Sequence, residues 1–382
     1  MYLLVIINTI MKFSPKVLIT GSTGFIGAAL IAKLFTTEDW RDVIFLVRSK
    51  SPEEGLVRLV QTLRKHGVSN KQLNAIRLGQ ILCGDLNVVN RWVGDPRIES
   101  IETVVSSAAV TSFGNHPLIW STNVNGVLDM AHGLNRVAKI KRFIQIGTAM
   151  ACGATAPKLV PEGFDLGLKT KHFLEYTHSK YEAERLIREE LPGFPMVVVR
   201  PSIVVGHTQL GCEPSGSIYW VFRMALALKA FPCALAQKID VVPVDYVADA
   251  LYLLLKKPTL KYSSYHISAG KKSSSSFAQI DKAIAKATGR KPMTGYKKKS
   301  YSEILLMRER FTELLGPCNK RLVAKAIETY GNFSQLEILF DNARLLSEGM
   351  KEPTPLEKYV GLCEKTSQGI LISEQMKFDY KT

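Results

Sequence analysis

The chain has 382 residues, 46% apolar and 22% charged, which suits a globular protein with a sizeable core and excludes a disordered or low-complexity chain. Its six cysteines make no CxxC pair and no zinc spacing, so free thiols, a reducing compartment and no metal are expected. The net charge of +16 is uneven, with twelve Lys or Arg and one Asp within Leu251–Ser300; no nucleic-acid motif accompanies it, so nucleic acid is not an expected partner.

The opening MYLLVIINTI is apolar. A bilayer span needs roughly twenty such residues, and a signal peptide needs a basic start and a small-residue cleavage site. The run reads as an added surface segment, or as chain upstream of a start at Met11. No later run is long enough to span a bilayer, so a cytoplasmic location is expected.

Lys16–Thr20 is short, apolar and β-branched, the pattern of a buried parallel strand. GSTGFIG follows, with Gly21, Gly24 and Gly27 three apart, and AALIAKLFTT then has helical spacing. Between a strand and a helix, such a turn has a specific use. Its first glycine turns the backbone tightly, the second admits a pyrophosphate, and the third lets helix and strand pack closely. The helix N-terminus offers free N–H groups to the phosphates.

A second strand, Val43–Val47, ends in Arg48-Ser49-Lys50. An acidic residue there would hold a ribose 2′-hydroxyl. A guanidinium and an ammonium suit a 2′-phosphate instead, so Arg48 and Lys50 predict NADPH rather than NADH. Further strands are expected at Ile81–Leu86, from Thr103 into Ser106-Ser107-Ala108-Ala109, at Phe143–Ile146 and at Met196–Val199. Helical stretches intervene, so the fold class is α/β, a doubly wound Rossmann-type parallel sheet.

YTHSK places Tyr176 and Lys180 on one face of a helix. A free tyrosine has a pKa near ~10 and is a poor acid or base at neutral pH. A nearby ammonium would lower it, making Tyr176 a general acid/base. Thr148, in IGTAMACG, could hydrogen-bond a substrate oxygen.

With these residues in place, the chain resembles an extended short-chain dehydrogenase/reductase. The matching stretches are TGSTGFIG at Thr20–Gly27, GDL at Gly84–Leu86, AAVTSF at Ala108–Phe113, NVNG at Asn123–Gly126, GTA at Gly147–Ala149, YTHSK at Tyr176–Lys180, RPSIVVG at Arg200–Gly206 and VVPVDYVADAL at Val241–Leu251. LVRS, AAVTSF and PVDYVA are most similar to the male-sterility branch, with its fatty acyl-CoA reductases and thioester reductase domains. The resemblance implies Thr148, Tyr176 and Lys180 as the catalytic trio, with Lys180 also on the nicotinamide ribose. Around the cofactor it implies Gly21, Ser22, Thr23, Gly24, Phe25, Ile26, Gly27, Arg48, Asp85, Leu86, Ala108, Ala109, Asn123, Tyr176, Lys180, Pro201, Ser202 and Ile203, with Asn123 as a support or proton relay. The chain departs from the branch at Ser106-Ser107, where His often leads, and at Gly147, where Ser precedes Thr.

The implied activity is NADPH-dependent reduction of the carbonyl of a hydrophobic substrate, foremost an acyl thioester on CoA or a carrier, to aldehyde or alcohol. The alternatives are a sterol-, isoprenoid- or flavonoid-type alcohol dehydrogenase or ketoreductase, a nucleotide-sugar epimerase or dehydratase, and a non-catalytic NADP-sensing protein. Residues 11–206 with 236–270 are expected to form the cofactor domain, and 207–235 with 271–382 a smaller, mainly helical substrate-binding region on the C-terminal side. Gly216–Leu228 reads either as a packed helix or as an apolar channel for the substrate. Asp245 reads as an N-cap and His178 as an exposed helix residue. The basic 251–300 window reads as a solvated face, or as one that meets an anionic membrane or an acyl carrier.

Overall fold

The computed structural model describes residues 14–112, 114, 116–163 and 170–376; the opening apolar decapeptide and Phe113 of AAVTSF lie outside them. Seven strands form one sheet: β1 Val17–Thr20, β2 Val43–Val47, β3 Ile81–Cys83, β4 Thr103–Ser106, β5 Arg142–Ile146, β6 Met196–Pro201 and β7 Ser264–Ile267. Their order is β7-β6-β5-β4-β1-β2-β3, the doubly wound arrangement with its reversal between β1 and β4. The Val, Ile and Phe side chains of β2 are buried on both faces, as a covered parallel sheet requires. The sequence reading missed β7, whose SYHI is polar enough to read as loop yet is buried throughout. It extended β3 too far, since the strand stops at Cys83 and Asp85 caps the next turn.

The chain divides into two compact units. The first holds the described residues up to Ala109, with Trp120–Ile146 and Ala183–Val197. Here β1 pairs in parallel with β2 and β4, with Leu18 opposite Ile44 and Val104. Helix α1, Phe25–Thr36, buries Ala28, Leu30, Ile31, Leu34 and Phe35. Helix α2, Pro52–Lys65, starts at a Ser51 N-cap with Pro52, Glu53 and Glu54 in its first turn, and ends on Arg64 and Lys65. Each choice agrees with the helix dipole and its unpaired end groups. A π-helical turn at Ser121–Gly126 leads into α3, Val127–Val137. Gly126 is required there, because a Cβ would lie 2.5 Å from the Leu86 carbonyl oxygen.

The second unit holds Val110–Ile119, Gly147–Glu182 and the described residues from Val198 onward. Helix α4, Glu175–Glu190, begins in it. Its core joins α5 (Tyr219–Leu228), α7 (Phe277–Thr288), α8 (Lys320–Gln335) and α9 (Leu356–Thr366); α6 is Val244–Lys256. Tyr219, Trp220 and Met224 of α5 are fully buried in that core, and Trp220 stands edge-on to Tyr330 at 5.3 Å. Of the two readings of Gly216–Leu228, α5 is a packing helix. Asp245 is not the N-cap of α6; Pro243 holds that position, and the Asp245 carboxylate accepts from the Thr208 N–H at 3.0 Å and from its hydroxyl.

Two buried carboxylates secure the C-terminal part of this unit. Asp240 accepts from the backbone N–H of Ala269 at 2.7 Å and of Phe340 at 3.0 Å. Glu162 accepts from the N–H of His266 at 2.9 Å and from that of Arg344. Burial pushes Asp240 up to about 6 and Glu162 up to about 7. A carboxyl with a raised native pKa contributes stability that is complete below its unfolded pKa and is lost as pH rises through the native one. For Glu162 the loss falls between 4.5 and about 7 and is on the order of 3 kcal/mol. We expect the urea midpoint to fall across that window, and Glu162→Gln to flatten the fall. A midpoint that rises from pH 5 to pH 7, or an unchanged slope in the variant, contradicts this assignment.

Candidate active site

In the first unit, the site is built by the close approach of two strand ends. The Thr20 hydroxyl oxygen accepts from the N–H groups of Ser107 and Ala108, both at 3.1 Å. Ser22 donates to the Ile19 carbonyl at 2.8 Å, and the Gly24 N–H to the Gly21 carbonyl at 2.8 Å. Gly21 sits at φ 66°, and a Cβ there would lie 2.6 Å from the Ala108 nitrogen. A Cβ on Gly27 would lie 2.3 Å from the Gly21 oxygen. Gly24 is exposed at the N-cap of α1, and no side chain caps that end. Its first N–H groups are thus available to an anion. Thr23, Phe25 and Ile26 are half-buried beside it.

At the ends of β4 and β5, Ser106 and Gln145 are register partners. The Ser106 hydroxyl and both polar atoms of the Gln145 amide are buried without a hydrogen-bond partner. Such atoms mark a place where a polar group or water belongs. The glycine cradle, the uncapped helix end and these atoms fit a dinucleotide.

Arg48 and Lys50 are exposed after β2. The Arg58 guanidinium, on α2, donates to the Arg48 carbonyl, which brings a third cation to this corner. Sequence reading missed Arg58, because an Arg on an amphipathic helix gives no sign that it turns back. Asp85 Oδ1 accepts from the backbone N–H and the side-chain amide of Asn87, both at 2.9 Å. Asn87 in turn donates to the Thr122 hydroxyl at 3.1 Å, within the π-helical turn that holds the fully buried Asn123. Asp85 therefore shapes this corner by capping. Leu86 is buried core, and Ala108 and Ala109 are half-buried.

In the second unit, Thr148 N-caps the turn Ala149–Cys152, its oxygen accepting from the Met150 N–H at 3.3 Å. That use of the oxygen leaves the hydroxyl hydrogen to donate. Tyr176 and Lys180 lie one turn apart on α4, Tyr176 half-buried and Lys180 only 2% exposed. Burial pushes the Tyr176 phenol up to about 12, against the expected lowering. Desolvation of the phenolate is the cause. Pro201 and Ser202 are buried at the end of β6 and Ile203 is half-buried. His178 is not simply exposed: it stacks on His172 with ring centroids 5.0 Å apart and lies 3.7 Å from Glu182.

Immediately before Tyr176, a cavity of 280 Å³ is lined by Ser112, Phe173, Leu174, Lys325, Glu328 and Asn332, among others. Its polar wall comes largely from α8, which the sequence reading placed only in a general substrate region.

A family model described as "Male sterility protein" matches residues 19–251. An aldehyde reductase of Aspergillus flavus is 28% identical over 274 residues, covering 66% of this chain and 25% of that protein. A putative fatty acyl-CoA reductase of Drosophila melanogaster is 26% identical, covering 62% of this chain and 50% of that protein. The chain thus spans half or less of these relatives' length. The terminal R domain from the myxalamid PKS-NRPS pathway superposes with a TM-score of 0.73 at 20% identity, over 95% of this chain and 93% of that one, a likeness of fold. The matched span and the glycine cradle together place the chain in the male sterility protein family, in the thioester reductase branch of the extended short-chain dehydrogenase/reductases.

Proposed function

We propose that this protein is an NADPH-dependent reductase of an acyl thioester, giving aldehyde or alcohol. The observation that most supports it is a pair of hydroxyl donors in one unit: the half-buried Thr148, whose oxygen already accepts from Met150, and Tyr176, held as a neutral phenol by burial. The residues that would hold the dinucleotide are the Gly21–Gly27 turn, Ser106-Ser107-Ala108-Ala109, Asn123, Lys180 and Pro201–Ile203, with Arg48, Lys50 and Arg58 for the 2′-phosphate. Reduced nicotinamide, when bound, supplies the hydride.

Thr148 donates its hydroxyl hydrogen to the substrate carbonyl oxygen and polarises it. Tyr176 gives its phenolic proton to that oxygen as negative charge develops, leaving a thiohemiacetal; its C–S bond then breaks, the thiol departs with the hydroxyl proton, and the aldehyde is released, a second hydride and proton being needed for the alcohol. Lys180, buried one helical turn on, stabilises the resulting phenolate. The polar cavity lined by Leu174 and Glu175, the residues preceding Tyr176 in the chain, suits the amide-bearing arm of a thioester better than its acyl chain. The relatives named as aldehyde and fatty acyl-CoA reductases agree with carbonyl reduction.

An anionic donor, CoA or a phosphopantetheine carrier, also agrees with the basic window. Lys271, Lys272, Lys282, Lys286, Lys291, Lys297 and Lys298 are exposed. Lys257 and Lys261 are instead tied to the Glu348–Ser347 backbone.

The direct test is NADPH absorbance with a panel of acyl-CoA thioesters, with products identified by mass spectrometry. Tyr176→Phe should lower kcat by on the order of 10²–10⁴-fold and leave NADPH binding near wild type; retained turnover overturns the assignment. Arg48→Ala should raise KM for NADPH roughly ten- to a hundredfold while sparing NADH, since one charge-assisted hydrogen bond is lost; an equal effect on both cofactors removes the 2′-phosphate role. Because reduction uses the phenol and oxidation the phenolate, reduction should be flat from pH 7 to 9. Alcohol oxidation should climb about tenfold per pH unit over the same range, as expected for a base with a pKa near 12. A flat oxidation profile means that Tyr176 is not the base.

A further inference from the structure

Cys212 and Cys363 come from distant parts of the chain and meet in the second unit. Residues 207–211 close a tight hairpin, in which the His207 N–H donates to the Gly211 carbonyl at 2.8 Å and the Gly211 N–H returns to the His207 carbonyl at 2.9 Å. That hairpin is pressed onto the last turns of α9. A Cβ on Gly206 would lie 2.5 Å from the Cys363 sulfur, and one on Gly211 would lie 2.4 Å from the Thr366 hydroxyl and 2.7 Å from the Leu362 oxygen. The Cys212 N–H donates to the Thr366 hydroxyl oxygen at 2.8 Å, one helical turn from Cys363. Cys363 belongs to the buried core of this unit, and Cys212 packs against the same cluster. Cys363 is fully buried, whereas Cys212 is half-buried and so is the thiol a small oxidant reaches first.

The other cysteines are differently placed. Cys152 and Cys233 are buried, and burial raises both thiols. Cys83 lies beside the Ser49 hydroxyl at 3.3 Å. For Cys212 the direction is opposite: the neighbouring Cys363 thiol favours its thiolate, and Arg223 adds to this, while Cys363 stays a thiol. The accessible thiol of Cys212 is placed to be oxidised first, and the buried Cys363 to resolve it.

We propose that Cys212 and Cys363 form a peroxide-sensitive dithiol site whose disulfide clasps the 206–216 segment to α9. In the first step the Cys212 thiolate attacks one oxygen of hydrogen peroxide. An S–O bond forms, the O–O bond breaks, hydroxide leaves, and sulfur is oxidised while peroxide is reduced. In the second step the Cys363 sulfur attacks the sulfenic sulfur. The S–S bond forms, the S–O bond breaks, and the oxygen leaves as water with the Cys363 proton. A thiol reductant reverses the link.

The test uses the full chain, exposed to hydrogen peroxide, alkylated with N-ethylmaleimide under denaturing conditions, and digested without reduction for mass spectrometry. The expected result is one cross-linked peptide pair joining Cys212 to Cys363, with two of the six thiols protected from alkylation and both restored by dithiothreitol. Cys212→Ser should abolish the link and leave Cys363 fully alkylated. This variant is the control of choice, because Cys363 is a core residue whose replacement threatens folding. Three outcomes overturn the proposal: both thiols still alkylated after peroxide, Cys212 driven to sulfinic acid with Cys363 still reduced, or Cys212 linked to another cysteine.

Discussion

The contact between the ends of β1 and β4 governs the first unit. Thr20 accepts two backbone N–H groups from the neighbouring strand, and Gly21 then turns with its Cα against the same backbone. No side chain fits there. The strand order reverses at this point, and this contact lies at the end of the β1–β4 ladder there. Gly27 brings α1 down onto the turn, and the uncapped helix end follows from that placement. Arg48 and Arg58 at one corner and the Asp85–Asn87–Thr122 chain at another are arranged around the same floor.

The second unit uses a different device. Its C-terminal part is mainly helical with only short strands, and buried carboxylates gather backbone N–H groups from several segments. Asp240 joins the segment after β7 to the short strand at Leu339–Phe340, and Glu162 joins β7 to Arg344. Each acid replaces the ladder that a longer strand would supply. Apolar packing does the rest: α7 and α9 approach closely through Gly361, where a Cβ would lie 2.6 Å from that of Ala287.

Legibility in sequence followed the locality of the signal. The glycine turn, β1, β2 and the Tyr176–Lys180 spacing are local patterns, and they stand where the residues placed them. β7 escaped because its burial comes from neighbours, not from its own Ser-Tyr-His-Ile. Asp245 looked like a cap because a helix does start nearby, but Pro243 takes the position and frees the carboxylate for Thr208. The raised Tyr176 phenol was invisible for a similar reason. A sequence shows that a lysine is one turn away, but not how far the phenol is withdrawn from water. Arg58, His172 and the α8 wall of the cavity are likewise brought into place by folding alone.

The family likeness stops at residue 251, yet the sheet's last strand runs from Ser264 to Ile267. An excised fragment trimmed to the matched span would leave the edge of β6 bare along Val198–Pro201. It would also remove the Ala269 and Phe340 donors of Asp240 and the His266 and Arg344 donors of Glu162. The end of the matched span is therefore not a boundary at which the second unit can be cut. The residues beyond the matched span complete the second unit, supplying its edge strand and the backbone donors of its two buried acids.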